Sequence, residues 1–303
     1  MLYNIFYPSI IFLFPNKMEH EKIVGNYRLL KQLGEGAFGS VYLAKDMRDG
    51  RMYAIKELNK VRQGGKVKSS IIREVQALKK IKGCPHTLTY HGIINKPDKI
   101  YLITEFVEGV TLDKFIHNLK ENVYDISNEE LLDIMIQLAE ALTCIHARGF
   151  SHRDLKDANI IINPETSPPQ VTVIDFGLSC IMELSKQPTN VEKKSWCKNI
   201  KGGNRRYYPN KTFTKEWVFP PDYPFWALDV FALGLIFYRL ATGKAVRADH
   251  VPKNIHTGND LLDDIIELLM LPQDPDLRSP MIDILEDMQD IHDPDFVILR
   301  NHR

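Results

Sequence analysis

Gly34, Gly36 and Gly39 in the stretch LGEGAFGSVY have the G-x-G-x-x-G spacing of a loop that can hold an anion. Without side chains, glycines let backbone N–H groups come close to phosphate oxygens, so the spacing points to a nucleotide; a tight hairpin that binds nothing has the same spacing. Downstream, Lys56 in MYAIKEL and Glu74 in SSIIREVQALKKI supply a cation and a carboxylate. An ion pair between them would hold the ammonium toward the phosphates of a nucleotide lying under the glycines.

The elements that must position these residues narrow the chemistry. In a dinucleotide-binding fold the last glycine opens a helix, and in a P-loop it is followed by Lys-Ser/Thr. Here Gly39 leads into SVYLAK, whose alternating apolar and polar residues predict a strand. The glycines therefore join two antiparallel strands, YRLLKQLG and SVYLAK, which disfavours both of those folds. MYAIKEL predicts a further strand bearing Lys56, and SSIIREVQALKKI a helix bearing Glu74. IYLITEFVEGVTL reads as a strand ending at Thr104-Glu105-Phe106-Val107, and NEELLDIMIQLAEALTCIHARG as a long amphipathic helix. SHRDLKDANIII follows, then the turn-forming NPETSPPQ, VTVIDFGLS, and the nearly all-apolar helix LDVFALGLIFYRLATG.

In order, spacing and identity these pieces resemble the eukaryotic-type Ser/Thr protein kinase family, from about Tyr27 to Ile291. The resemblance implies an α+β, bilobal fold within residues 18–303. A small antiparallel-sheet N-lobe with one main helix spans about residues 26–105, and a larger, mostly helical C-lobe about residues 109–299. It implies ATP and Mg2+ as cofactors, and transfer of the γ-phosphoryl group to Ser or Thr hydroxyls of protein substrates. In that frame Leu33, Gly34, Gly36 and Gly39 belong to a flap over the phosphates, with Ile161 also in the nucleotide site. Val41 and Ala54 sandwich the adenine, Thr104 is the gatekeeper, and Glu105 to Val107 form the hinge whose backbone recognises the base. Asn159 and Asp175 supply hard oxygen ligands for magnesium. Asp154 orients the acceptor hydroxyl and takes its proton, and Lys156 steadies the transferring phosphate in the K-x-x-N form typical of Ser/Thr rather than Tyr kinases. Leu78, His152, Phe176 and Asp229 match positions that stack the two lobes together.

The chain departs from the family pattern at the close of the activation segment. In the best register Gly203 stands where a threonine would bridge Asp154 and Lys156, and Asn210 where a glutamate would pair with Arg278. The altered segment motivates an alternative reading as a pseudokinase, an ATP-binding scaffold or interaction module; a small-molecule kinase on the same fold is a third. Ser179, Ser185, Thr189 and Ser195 are candidate acceptors for an activating phosphate answering to Arg153. Lys193, Lys194, Lys198, Lys201, Arg205, Arg206, Lys211 and Lys215 form a run without acidic residues, which reads as a solvated loop, as a loop pairing with its own phosphate, or as a groove favouring acidic or phosphorylated peptides.

Lys plus Arg and Asp plus Glu are equal at 39 each, so no global field draws the chain to nucleic acid or a membrane. Nothing in the sequence points to an oligomeric state. Cys84, Cys144, Cys180 and Cys197 lack paired spacing, which predicts free thiols in a reducing compartment and an intracellular, cytoplasmic location. Cys84, His86 and His91 match no usual zinc spacing. Residues 1–17, MLYNIFYPSIIFLFPNK, are apolar but too short to span a bilayer as a helix; a leader with Met18 as the start, or a disordered or packed tail, is favoured over a membrane anchor.

Overall fold

The computed structural model describes residues 22–36, 39–60, 69–182, 203–209, 223–244, 247–251 and 254–292. The apolar segment 1–17, Asn210 and most of the basic run lie outside them. The N-lobe is one antiparallel sheet of β1 (Ile23–Val24), β2 (Tyr27–Gly36), β3 (Gly39–Asp46), β4 (Met52–Asn59), β5 (Tyr90–Asn95) and β6 (Lys99–Glu105), in the order β1-β2-β3-β4-β6-β5. The glycine stretch is the turn of the β2–β3 hairpin, with Gly36 opposite Gly39, as its alternating flanks predict. β6 is buried along its centre, whereas edge strand β5 alternates half-buried and exposed residues. Between β4 and β5 runs α1 (Ser69–Lys80), whose Ile71, Glu74 and Leu78 fall on one face at helical spacing and are all buried.

The C-lobe opens with β7 (Val110–Thr111) and α2 (Leu112–Lys120), followed by α3 (Asn128–Ala147). A capping box starts α3: Ser127 Oγ accepts from the Glu130 N–H at 3.1 Å, and the Glu130 carboxylate accepts from the Ser127 N–H at 2.9 Å. Such a cap is worth about 1 kcal/mol. Short β8 (Phe150–Ser151) pairs with β11 (Cys180–Ile181), while β9 (Ile160–Asn163) and β10 (Gln170–Val173) form a hairpin flanked by β7. α4 (Trp226–Thr242) is buried on nearly all sides and stops at Gly243 in the left-handed conformation. α5 (Asp260–Asp264) runs into a π-helical stretch, Ile265–Met270, and α6 (Met281–His292) packs beside α3. One continuous core joins the lobes, from Leu58 and Leu78 through Phe176 to Phe231 and Met288.

The cysteines depart from expectation. Cys84, in the loop between α1 and β5, forms a disulfide with Cys144 on α3, and Cys180 is also disulfide-bonded. The first pair is 60 residues apart in sequence, so local spacing carries no trace of it. Cys84, His86 and His91 also part company: His86 meets Glu140 at 3.1 Å, and His91 packs edge-on against Tyr53. Among the described residues no helix is long and apolar enough to cross a membrane.

Candidate active site

Strand alternation builds the upper wall of a cavity of about 420 Å³ between the lobes. Directly paired residues share a face of a sheet, as do residues two apart along one strand. Val41 lies opposite Lys56, which lies opposite Leu102; Ala54 lies opposite Thr104. All five therefore face the same way, and all five line the cavity together with Leu33, Gly34 and Gly39. Gly39 is dictated by the protein itself, since at φ 140° a Cβ there would overlap the Glu57 carbonyl. Gly34 is not: a Cβ would meet nothing within 4 Å, and the space it leaves open is cavity. Gly36 ends β2 at the turn.

Glu105, Phe106 and Val107 form the back wall. The Glu105 N–H is spent on the Thr89 carbonyl at 3.0 Å, and its carboxylate accepts from the Thr89 N–H at 2.7 Å. The peptide groups after it, at Phe106 and Val107, line the same wall.

The floor comes from the β9–β10 hairpin. An antiparallel hairpin returns its end beside its beginning: Val173 pairs with Ile160, and the Ile174 N–H donates to the Asn159 carbonyl at 2.9 Å. Asn159 and Asp175, separated by sixteen residues, are thereby brought to one edge of the cavity, with Ile161 beneath. Asn159 turns its amide nitrogen to Asp154, donating to the main-chain oxygen at 2.8 Å and to Oδ2 at 3.1 Å, which leaves its carbonyl oxygen for a ligand.

Lys56 joins the two halves. Its ammonium donates to Glu74 Oε1 at 2.6 Å and to Asp175 Oδ1 at 3.1 Å. Burial alone would push the Lys56 ammonium down, but the two carboxylates hold it above its ordinary value. Burial likewise works against the Asp175 carboxylate, and Lys56 beside it overcomes this and holds the group below the usual range. Glu74 is 3% exposed, so the apolar face of α1 tolerates it only as a partner of Lys56. Phe176 is buried against the His152 ring, centroids 4.9 Å apart, and Leu78 lies in the same hydrophobic core.

Asp154 and Lys156 do not line the cavity wall; they pair at 2.6 Å, and Asp154 adjoins the wall through Asn159. Their loop is fastened from below by Asp229 of α4, which accepts from Ser151 Oγ, His152 N and Arg153 N at 2.9, 2.7 and 2.8 Å. The Asp154 N–H donates to His152 Nδ1 at 3.3 Å, so Nε2 carries the ring proton and donates to the Ile174 carbonyl at 3.1 Å. Arg153 and Asp175 both adopt left-handed backbone, at φ 63° and 62°, a conformation costing about 1–2 kcal/mol per residue and kept here by these contacts.

At the departures from the family pattern, Arg278 needs no glutamate. It is buried over the Phe231 ring and donates to the carbonyls of Pro272, Ala227 and Gln273. Ser179 is 1% exposed with its hydroxyl toward the His152 carbonyl, so it is no surface acceptor; the other three candidates lie outside the described residues. Sequence reasoning missed Leu88, Leu102, Ala158 and Ile174 in the cavity wall, although the alternation of β6 carries a signal for Leu102. It also missed Asp157, buried between Arg239 and the Tyr207 hydroxyl, because its partners are 50 and 82 residues away.

Comparison with known proteins identifies the family. The family model described as "Protein kinase domain" matches residues 27–294. The Ser/Thr protein kinase Nek10 of Homo sapiens is 30% identical over 231 residues, 73% of this chain and 18% of that protein. Nek1 of Mus musculus is 30% identical over 224 residues, 72% of this chain and 16% of that protein, so the chain spans less than a fifth of these relatives. Myosin light chain kinase A of Dictyostelium discoideum is 32% identical over 165 residues, 54% of this chain and 53% of that protein. With the domain model matching most of its length around an intact cleft, the chain belongs to the protein kinase family.

Proposed function

We propose that this chain is an active Ser/Thr protein kinase that transfers the γ-phosphoryl group of ATP to protein hydroxyls. The observation that carries the reading is the Lys56–Glu74 pair standing together with Asp175 in one cavity, the arrangement that phosphoryl transfer requires of these groups. Lys56 holds the phosphates, Asp154 accepts the acceptor hydroxyl's proton, and Lys156 steadies the group in transit. The carboxylate of Asp175 and the free amide oxygen of Asn159 suit a hard divalent cation, and magnesium bound there would neutralise charge on the phosphate oxygens. Exposed Arg205 and Arg206 support a preference for acidic or phosphorylated peptides. We propose a cytoplasmic location, where ATP is supplied and where Cys84 and Cys144 would stand as thiols rather than as the disulfide.

The test is incubation of the purified chain with labelled ATP, magnesium and casein, followed by acid hydrolysis. Labelled phosphoserine or phosphothreonine is expected, and Lys56→Met and Asp175→Asn should each cut incorporation by about 100-fold or more at a temperature where circular dichroism shows the variant folded, Lys56→Met with a lowered Tm because it strands Glu74. Phosphotyrosine as the main product would overturn the Ser/Thr assignment. Nucleotide binding without any transfer would overturn the enzyme in favour of a scaffold.

A further inference from the structure

The peptide joining Arg153 to Asp154 is held at both polar ends. Its N–H donates to His152 Nδ1 at 3.3 Å, and its carbonyl accepts from the Tyr208 hydroxyl. One peptide earlier, the Arg153 N–H is held by Asp229 at 2.8 Å. Tyr208 reaches this place because Gly203 leaves room for it: a Cβ on Gly203 would overlap the phenol, and φ 120° there favours glycine independently. Tyr208 is 3% exposed, and burial pushes its phenol far above the ordinary value, so the hydroxyl stays a donor. The adjacent Tyr207 donates to Asp157 Oδ2 at 2.8 Å, where Arg239 also pairs. Two consecutive tyrosines thus fasten the loop at residues 153 and 157, on either side of Asp154 and Lys156.

We propose that Tyr208 is a positioning residue for Asp154, that Gly203 is the opening that admits its hydroxyl, and that Tyr207 is the lesser second tether. The activity part of this proposal rests on the kinase reading. The departure at 203 is then not a loss: the hydroxyl missing there is supplied from position 208, and it acts on the main chain of the loop rather than on its side chains. A packing role alone would be served by the ring, which lies among Cys180, Tyr223, Phe225 and Leu228 and which phenylalanine keeps.

Tyr208→Phe removes only the donor, and hydrogen exchange with mass spectrometry on the full chain reads its effect without needing activity. Exchange in peptides covering residues 151–157 should rise about tenfold, while peptides from α3 and α4 stay as in wild type. In transfer assays kcat should fall about 10- to 100-fold with KM for ATP within about twofold, because the displaced group is the hydroxyl-activating carboxylate and not the nucleotide wall. Tyr207→Phe should lower kcat less, since Arg239 still holds Asp157. Unchanged exchange at 151–157, or a rise spread over the whole chain, would overturn the positioning role; so would an unchanged kcat in an active enzyme. If wild type shows no transfer, the kinase reading fails by that result, and the exchange arm still decides the tether.

Discussion

Asp229 shows how much one side chain carries. It is 1% exposed and accepts from Ser151, His152 and Arg153, with His146 Nε2 3.0 Å away. Burial would push its carboxyl up, yet His146, then His152 and the Arg153 N–H, hold it below the usual range. A group with a depressed folded-state pKa adds stability that is present above its unfolded value and lost as pH falls through the folded one. Asp229→Asn sets an amide donor against N–H donors, and should cost about 3 kcal/mol at pH 7. The gap from wild type in urea unfolding should narrow as pH drops below about 4, where the unfolded aspartate takes up its proton. A pH-independent gap would contradict the assignment of the charge. In the sequence Asp229 is visible as a lone charge opening an apolar helix; its partners, 76 to 83 residues upstream, are not.

At the scale of elements, the loop between α1 and β5 is the fastening of the N-lobe to α3. Glu140, Cys144 and Arg148 are four apart, so they form a row on one face of the helix or at its end. They meet His86, Cys84 and the Lys80 carbonyl in turn. On its other side the loop is bound to β10: the Leu88 N–H donates to Val173 O at 3.1 Å, and the Val173 N–H to His86 O at 2.8 Å. The disulfide closes a long loop, so Cys144→Ser should lower unfolding stability by about 2–4 kcal/mol under oxidising conditions. With dithiothreitol present, wild type and variant should unfold nearly together. Equal stability without reductant would show the pair to be unlinked in solution. In a reducing compartment these positions are thiols, and packing and hydrogen bonds alone join the lobes there.

At the scale of the molecule, the cavity has walls from both lobes, so a ligand in it ties them together. ATP with magnesium at about 100 times its Kd should add about 2.7 kcal/mol to unfolding, a rise in Tm of about 5 °C. EDTA, and separately Asp175→Asn, should remove the magnesium-dependent part of that rise, as differential scanning fluorimetry would show. An EDTA-sensitive shift retained in full by Asp175→Asn would place the metal elsewhere, and a full shift persisting in EDTA would show that no metal contributes.

In the sequence, the wall residues Val41, Ala54 and Thr104 are named by the resemblance to the kinase family, while periodicity shows the strands carrying Val41, Lys56 and Thr104 and the helix carrying Glu74. The pairing of β3 with β4 and of β4 with β6, which puts these strand residues on one face, belongs to the tertiary structure. The hairpin from Asn159 to Asp175 is local, since a short turn returns the chain to its start. Only the tertiary structure revealed the Cys84–Cys144 bond, the burial of Ser179 and Asp157, the carbonyl cage around Arg278, and the exchange of roles between Gly203 and Tyr208. Each depends on groups separated by tens of residues, or on whether a given volume is already filled, and no period or spacing along the chain records either.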